Sequence, residues 1–380
     1  MSAPSFPLES LNESHAALRR EVREFLREAL PAYWNADERA RSWSGFDAAF
    51  SEKLGARGWI GMTWPKRYGG HERSAVERHI VVEELLAAGA PVAAHWIADR
   101  QSAPLILRSG TEEQRRTILP RIAAGKCYFG IGMSEPNTGS DLASVRSKAV
   151  KAGCGYILSG TKLWTTYAHK AHYLIVFCRT SESESRHGGF SQFLVDLSLP
   201  GISIKPVLDI AGEHHINEVH FDNVELPEDA LLGTEGQGWV QVMSELAFER
   251  SGPDRFLSSF VLIDEMLRIL GGEIAQGQAA AAIGRLVAHL IGLRQMSQSV
   301  AGMLARGVQP NLAAAIVKDL GAQFEQEVPD IARAIVPQHM ADADFNAAHR
   351  RIVLAAPSFS LRGGTREILR GIIARGLSLR

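Results

Sequence analysis

Residues 129–166 read FGIGMSEPNTGSDLASVRSKAVKAGCGYILSGTKLWTT, the stretch of the chain where residue types crowd together in a way that could do chemistry. Its first half collects Gly130, Ser134, Gly139, Ser140 and Asp141. Glycines let a backbone approach a ligand closely and hydroxyls bond to it, a composition suited to flat or anionic ligands. Its second half carries paired strand signals from Tyr156 to Trp164, with a turn expected at Ser159-Gly160. Trp164 and Thr166 stand two residues apart, so on a strand they point to the same side.

Other chemistries find less support. Histidines are spread along the chain, and His169/His172 and His214-His215 are too tightly spaced, without carboxylate companions, to read as metal ligands. There is no G-x-G-x-x-G after a strand and no serine nucleophile elbow, which argues against a nicotinamide-binding unit or a serine hydrolase. Three cysteines, Cys127, Cys154 and Cys178, are too few and too dispersed for a disulfide framework or a zinc site.

Positioning such a loop needs a scaffold, and the patterning describes one. Apolar residues at Leu18, Val22, Phe25, Leu26 and Leu30 recur at helical spacing before Pro31. Further helical segments are expected at 46–57, 75–88, 93–109 and 111–124, the last opened by a capping box from Thr111 to Gln114. After residue 127 the texture changes, with short strands predicted at 156–158, 173–179, 189–195, 202–206 and 218–224. Helical periodicity returns after Trp239, interrupted at Gly271-Gly272, Pro310, Pro329 and Pro337. The expected fold is α+β: an N-terminal helical domain over 1–127, a small β-barrel or sandwich over 128–235 and a C-terminal helical bundle over 236–380.

With 380 residues, 46% of them hydrophobic, the chain can fold into about two or three domains. Its 41 basic and 42 acidic residues balance, which gives no reason to expect nucleic acid or an anionic membrane as a partner. The first residues lack a basic segment followed by an apolar run, and the most apolar later stretch, 279–293, is short and interrupted by Arg285 and His289. A cytoplasmic protein is expected.

Three motifs in order make the pattern more specific: Ser134-Glu-Pro-Asn-Thr-Gly-Ser-Asp141, Gly160-Thr-Lys-Leu-Trp-Thr-Thr166, and Glu218-Val-His-Phe-Asp-Asn-Val-Glu-Leu-Pro227 with Leu231-Leu-Gly233. Together with Gly58-Trp-Ile-Gly61, 64–70 and Gly363-Gly-Thr-Arg-Glu-Ile368, they resemble the acyl-CoA dehydrogenase family. The resemblance implies an FAD enzyme that oxidises an acyl-CoA thioester to the enoyl-CoA and passes electrons to an electron-transfer flavoprotein. It implies that Met133 and Ser134 bond the flavin pyrimidine edge, that Gly139 belongs to the same loop, and that Ser140 lies near the CoA pyrophosphate. Trp164 would pack on the isoalloxazine, Thr166 would lie near N5, and Thr365 would meet the FAD adenosine and pyrophosphate, often across a subunit interface. Residue by residue, plainer readings stay open: Trp164 as a core aromatic, Ser134 and Ser140 as ordinary loop hydroxyls.

Many members of the family place the catalytic base directly before Gly-Thr, where this chain has Gly363. Others place it on a helix just before an arginine, which here selects Glu249 in Leu246-Ala-Phe-Glu-Arg250, with Glu245 as a rival one turn earlier. Partial burial would raise the pKa of such a base, and pairing with Arg250 or Arg255 on a solvated face is the alternative. Gly363 would then contribute its backbone N–H to the thioester oxygen. Two family features are missing: an Arg-x-x-Phe-Gly between 251 and 306, and a glycine-rich turn where 334–340 reads Ala-Ile-Val-Pro-Gln-His-Met. That pattern is similar to dehydrogenases assembled from two unlike chains, so a homo-oligomer and a hetero-oligomer are both open. So are a non-catalytic partner subunit and a flavin-dependent oxidase or monooxygenase on the same scaffold.

Overall fold

Asn12 opens α1 (Glu13–Ala29) by accepting from the His15 N–H at 3.1 Å while its own N–H donates to His15 Nδ1 at 3.2 Å. This reciprocal cap satisfies two donors that a helix start leaves bare. The expected stripe of Leu18, Val22, Phe25 and Leu26 is buried. The structure, a computed structural model, describes residues 4–271 and 277–379, with all of their side chains except those of 245–249.

The N-terminal helices continue with α2 (Ala36–Arg41), α3 (Ala48–Ala56), α4 (Ala75–Ala87), α5 (Ala93–Ile97), α6 (Ala103–Ser109) and α7 (Glu112–Ala123). A π turn at Ala98–Ser102 joins α5 to α6, so the expected helical run over 93–109 holds with one widened turn. The Thr111 capping box forms as read, with Thr111 Oγ1 accepting from Gln114 N and Gln114 Oε1 from Thr111 N. Helix α2 was not expected, because in six residues, ADERAR, only Ala36 and Ala40 are buried and no period can show.

Seven strands follow: β1 (Phe129–Gly132), β2 (Lys148–Ala152), β3 (Gly155–Thr166), β4 (Tyr173–Arg179), β5 (Phe190–Asp196), β6 (Ile202–Val207) and β7 (Ile216–Pro227). They form one curled sheet in the order β1-β4-β2-β3-β7-β6, with β5 also paired to β4. Strand β4 carries β5 antiparallel along its whole length and, along its other edge, β1 and then β2 in parallel. Tyr156, Leu158, Leu174, Val176, Phe193, Val219 and Phe221 make the core of this sheet.

The expected turn at Ser159-Gly160 is absent. The chain runs straight through as part of β3, and the register with β7 shifts between Leu158 and Gly160, which marks a bulge. Gly160 is required there: its φ is +144°, and a Cβ would meet Ser147 Oγ at 2.3 Å. A glycine inside a strand pattern signals a bulge as readily as a turn.

The last part of the chain holds α8 (Gly238–Glu249), α9 (Phe260–Leu270), α10 (Gly277–Ala305), α11 (Asn311–Ile335), α12 (Ala343–Phe359) and α13 (Arg366–Gly376). By internal contacts the chain divides into two units, Met1–Phe50 with Arg73–Ala93 and Ala247–Arg380, and Ser51–Glu72 with Ala94–Leu246. Pro310 and Pro337 flank α11 as expected, but Pro329 lies inside it and interrupts nothing. Proline has no N–H, so the carbonyl of Glu325 four residues back loses its helical donor. Ser259 Oγ, fully buried, donates to that carbonyl instead at 2.9 Å. Ser259→Ala is therefore expected to cost about 1–3 kcal/mol in urea unfolding. The loss should shrink when Pro329→Ala restores the helical N–H, and an unchanged loss in the double variant would show that the serine acts elsewhere.

Candidate functional site

The loop after β1 is built on a buried charge. Glu135 closes a tight turn over Pro136 and Asn137, its N–H donating to Thr138 O at 2.8 Å and its carbonyl accepting from Thr138 N at 3.0 Å. Its carboxylate accepts from the Arg146 and Ser147 N–H groups at 2.7 and 2.9 Å and from Lys162 Nζ at 2.9 Å. Lys162, completely buried, also donates to Met133 O at 3.0 Å. Burial pushes the Glu135 carboxyl up, but the Lys162 ammonium and the donated N–H groups outweigh it and hold the group below its ordinary value. Burial pulls Lys162 down, and Glu135 opposes this. Neither residue was singled out from the sequence, although both lie inside the motifs quoted there.

Lys162 thereby ties β3 to the loop, and Leu163 N adds a bond to Ser134 O at 2.9 Å. Met133, Ser134 and Trp164 are brought together by these bonds. Trp164 is not a core aromatic: its side of β3 faces outward, it is 58% exposed, and its φ is +64°. A bulky residue held in the left-handed region is strained, and strain of this kind is kept where a structure needs it. Thr165 is buried and Thr166 half-buried, so Trp164 and Thr166 share the side away from the core. The hydroxyls of Ser134, Ser140 and Thr166 have no hydrogen-bond partner among the described residues, and a Cβ at Gly139 would meet nothing within 4 Å. An exposed indole on a fixed backbone beside free hydroxyls fits a flat ring with a polar edge, as an isoalloxazine is.

The other candidates fall in the unit containing Ala247–Arg380. Glu249 is the last residue of α8; its side chain, like that of Glu245, lies outside the described residues. Gly363 and Gly364 have φ of +69° and +95°. Arg250 Nε donates to Gly363 O at 3.1 Å, and a Cβ at Gly363 would come 3.0 Å from the Arg255 guanidinium. The Gly363 N–H donates to no acceptor among the described residues. Arg255 pairs with Asp254 at 3.0 Å, all of it buried. Arg362 donates to Asp254 O, Ser258 Oγ and Glu325 Oε2 and lies over the Trp43 ring at 4.5 Å. Thr365 caps α13 by accepting from Ile368 N at 3.4 Å. Beside α13, a groove of about 770 Å³ is lined by Arg285, His289, Glu327, Asp330, Arg366 and Arg370, of which Arg366 and Arg370 also pair with Asp319 at 2.9 and 3.4 Å.

The expectation that His214-His215 lack carboxylate companions does not hold for His215. His215 does have carboxylate companions in space, with Asp209 Oδ2 3.5 Å from its Nδ1 and Glu213 within the same group. Asp209 already accepts from the Ala211 and Glu213 N–H groups and so closes the β6–β7 loop.

Helices, a curled sheet and further helices, in that order, make the three-domain fold of the dehydrogenase class of flavoproteins. Models for the N-terminal, middle and C-terminal domains of acyl-CoA dehydrogenase match residues 12–126, 130–224 and 236–378. Acyl-CoA dehydrogenase IpdE1 of Mycobacterium tuberculosis is 33% identical over 334 residues, 86% of each chain. The solved Tcur3481-Tcur3483 steroid ACAD matches with a TM-score of 0.87 at 25% identity, over 98% of this chain and 99% of that one. The ChsE4-ChsE5 complex from Mycobacterium tuberculosis matches with a TM-score of 0.83 at 28% identity, over 98% and 99%. The chain belongs to the acyl-CoA dehydrogenase family, whose members are FAD-dependent enzymes. Among the described residues no helix is long and apolar enough to cross a membrane.

Removing Lys162 alone leaves a buried carboxylate uncompensated, so Lys162→Met is expected to cost about 3–5 kcal/mol, with much of this recovered by adding Glu135→Gln. The pH dependence has a definite sign. Glu135 is held below its ordinary value of 4.5, so its contribution is present above that pH and is lost as pH falls through the lower native value. Acid unfolding curves should therefore fall less steeply below about pH 4.5 in Glu135→Gln than in the native protein. Equal slopes would mean that Glu135 is not held in its charged form.

Proposed function

We propose that this chain is an FAD-dependent acyl-CoA dehydrogenase that introduces the α,β double bond into a CoA thioester. The observation that carries the reading is Trp164, exposed and held with φ at +64° next to the free hydroxyls of Ser134 and Thr166. Met133, Ser134, Gly139 and Ser140 provide the loop against which the cofactor rests, and Thr166 provides a hydroxyl at the ring. FAD, when bound, supplies the acceptor for the hydride that leaves the β-carbon.

The rest of the chemistry belongs to the protein. An α-proton of a thioester is weakly acidic, so the carbonyl oxygen needs a donor while a carboxylate takes the proton. Glu249 is the base. The Gly363 N–H is the donor, and the absence of an acceptor for it among the described residues supports that role. The N–H of Gly363 serves whether or not the residue has a side chain. Thr365 and the guanidinium-lined groove beside α13 serve the adenosine and pyrophosphate end of FAD. The likeness to a steroid ACAD supports a bulky, steroid-derived acyl group as the substrate class, with an electron-transfer flavoprotein as acceptor.

A second reading makes this chain the non-catalytic member of a pair of unlike subunits. It is favoured by Gly363 at a base position and by the missing Arg-x-x-Phe-Gly between 251 and 306, and the two-chain names of the structural relatives accord with it. Either way the chain works as an oligomer.

The chain expressed alone should be yellow, and its visible flavin band should bleach when a suitable acyl-CoA is added without oxygen. Glu249→Gln should keep the colour and slow bleaching by about 10²–10⁴-fold. Bleaching at the native rate in that variant would remove Glu249 from the mechanism. A colourless chain that gains flavin only when a second dehydrogenase-like chain is present would establish the second reading.

A further inference from the structure

We infer that Asn217, oriented by His169 and His214, is a positioning residue that holds Trp164 in the strained conformation from which its indole can wall the flavin site. The functional consequence rests on the flavin reading above. The structural part does not depend on it.

Strands β3 and β7 are out of count by one residue near Trp164. The pairing of β3 with β7 passes from Lys162 opposite Val219 to Thr165 opposite Asn217, three steps along one strand and two along the other. One extra residue must therefore be taken up in β3. It leaves Trp164 with φ at +64° and 58% exposed, at a cost of about 1–3 kcal/mol for a non-glycine residue in that region. Something next to the bulge must offset that cost.

The compensating contact is at the next carbonyl. Asn217 Nδ2 donates to Thr165 O at 3.0 Å, and both residues are fully buried. The Thr165 hydroxyl has no partner among the described residues, so the backbone and not the side chain is gripped. The amide can face only one way, since turning it over would set its oxygen against the Thr165 carbonyl. Its Oδ1 then accepts from His169 Nδ1 at 3.0 Å and from His214 Nε2 at 2.7 Å. Because an amide oxygen only accepts, each of those nitrogens carries its hydrogen, which fixes both tautomers. The two imidazoles stack at 3.9 Å and 22°, so they support each other's orientation as well as the amide's. On the far side, Tyr167 N donates to His215 O at 2.8 Å, and Tyr167 is itself left-handed with φ at +50°. Residues 164–167 are thus clamped at both ends by the segment 214–217.

The decisive variant is Asn217→Asp, which keeps the shape and the acceptor for both histidines and replaces the donor to Thr165 by an oxygen set against that carbonyl. With 5-fluorotryptophan incorporated, the Trp164 fluorine resonance is assigned by its disappearance in Trp164→Phe. In Asn217→Asp that resonance is expected to shift or broaden while those of the other tryptophans stay in place, and FAD is expected to bind roughly tenfold more weakly, the value of one hydrogen bond. His214→Ala should move the same resonance less, and His214→Gln, which can still donate, should return it. An unmoved Trp164 resonance in Asn217→Asp overturns the inference. Should that variant fail to fold, His214→Ala and its rescue by His214→Gln decide alone, and no movement in either overturns it. If the native chain and its variants bind no FAD, either alone or with a second dehydrogenase-like chain, while the resonance still moves, the flavin reading fails and the positioning role stands.

Discussion

A lysine ammonium with no exposure to water, bonded to one carboxylate and one carbonyl, is the contact on which the sheet side of this protein depends. Lys162 lies between two places where β3 loses register with β7, one at Gly160 and one at Trp164. A strand with two irregularities could slide against its neighbour, and a slip of one residue would turn every side chain to the opposite face. A buried charge resists this because Glu135 and the Met133 carbonyl are at a single position. Desolvating the pair costs several kcal/mol per ion, so its value lies less in net stability than in the uniqueness of the arrangement it permits. Asn217 does for the second irregularity, with neutral groups, what Lys162 does for the strand between them.

Much of this was legible in the sequence. The α1 stripe, the Thr111 cap and strand β4 follow from periodicity and composition that act over a few residues. Where the reading failed, a distant residue decided the outcome. Gly160 looks like a turn until Ser147, the residue just before β2, is seen to fill the space a side chain would need. Pro329 looks like a break until Ser259 takes over the carbonyl it strands. Strand β1, four residues of alternating glycine, offers no period to detect. The candidate loop and Trp164 were found from residue types and from resemblance, but their supports, Lys162, Glu135 and Asn217, were not. A buried polar residue looks the same in a sequence as a solvated one.

The helical unit has a different character. Arg250, Asp254, Arg255 and Glu325, all buried, and the half-buried Arg362 form a set of charges around the turn that ends at Gly363 and Gly364. Arginine suits this work, since it stays charged and its planar fork can bond several acceptors while lying on an aromatic face, as Arg362 does over Trp43. The turn is therefore held by side chains that are costly to move, and its two glycines are demanded by backbone conformation as well as by space.

That crowding limits which residue position 363 can accept. A glutamate arising at position 363 would have to adopt φ near +69° and set its Cβ 3.0 Å from the Arg255 guanidinium, which would keep any nearby carboxylate charged and a weak proton acceptor. A carboxylate at that place would therefore meet both a left-handed backbone and a cation, each unfavourable to a proton-abstracting base. Position 363 is thus shaped for a residue that offers its backbone alone, and the same two features that favour glycine there disfavour a proton-abstracting side chain.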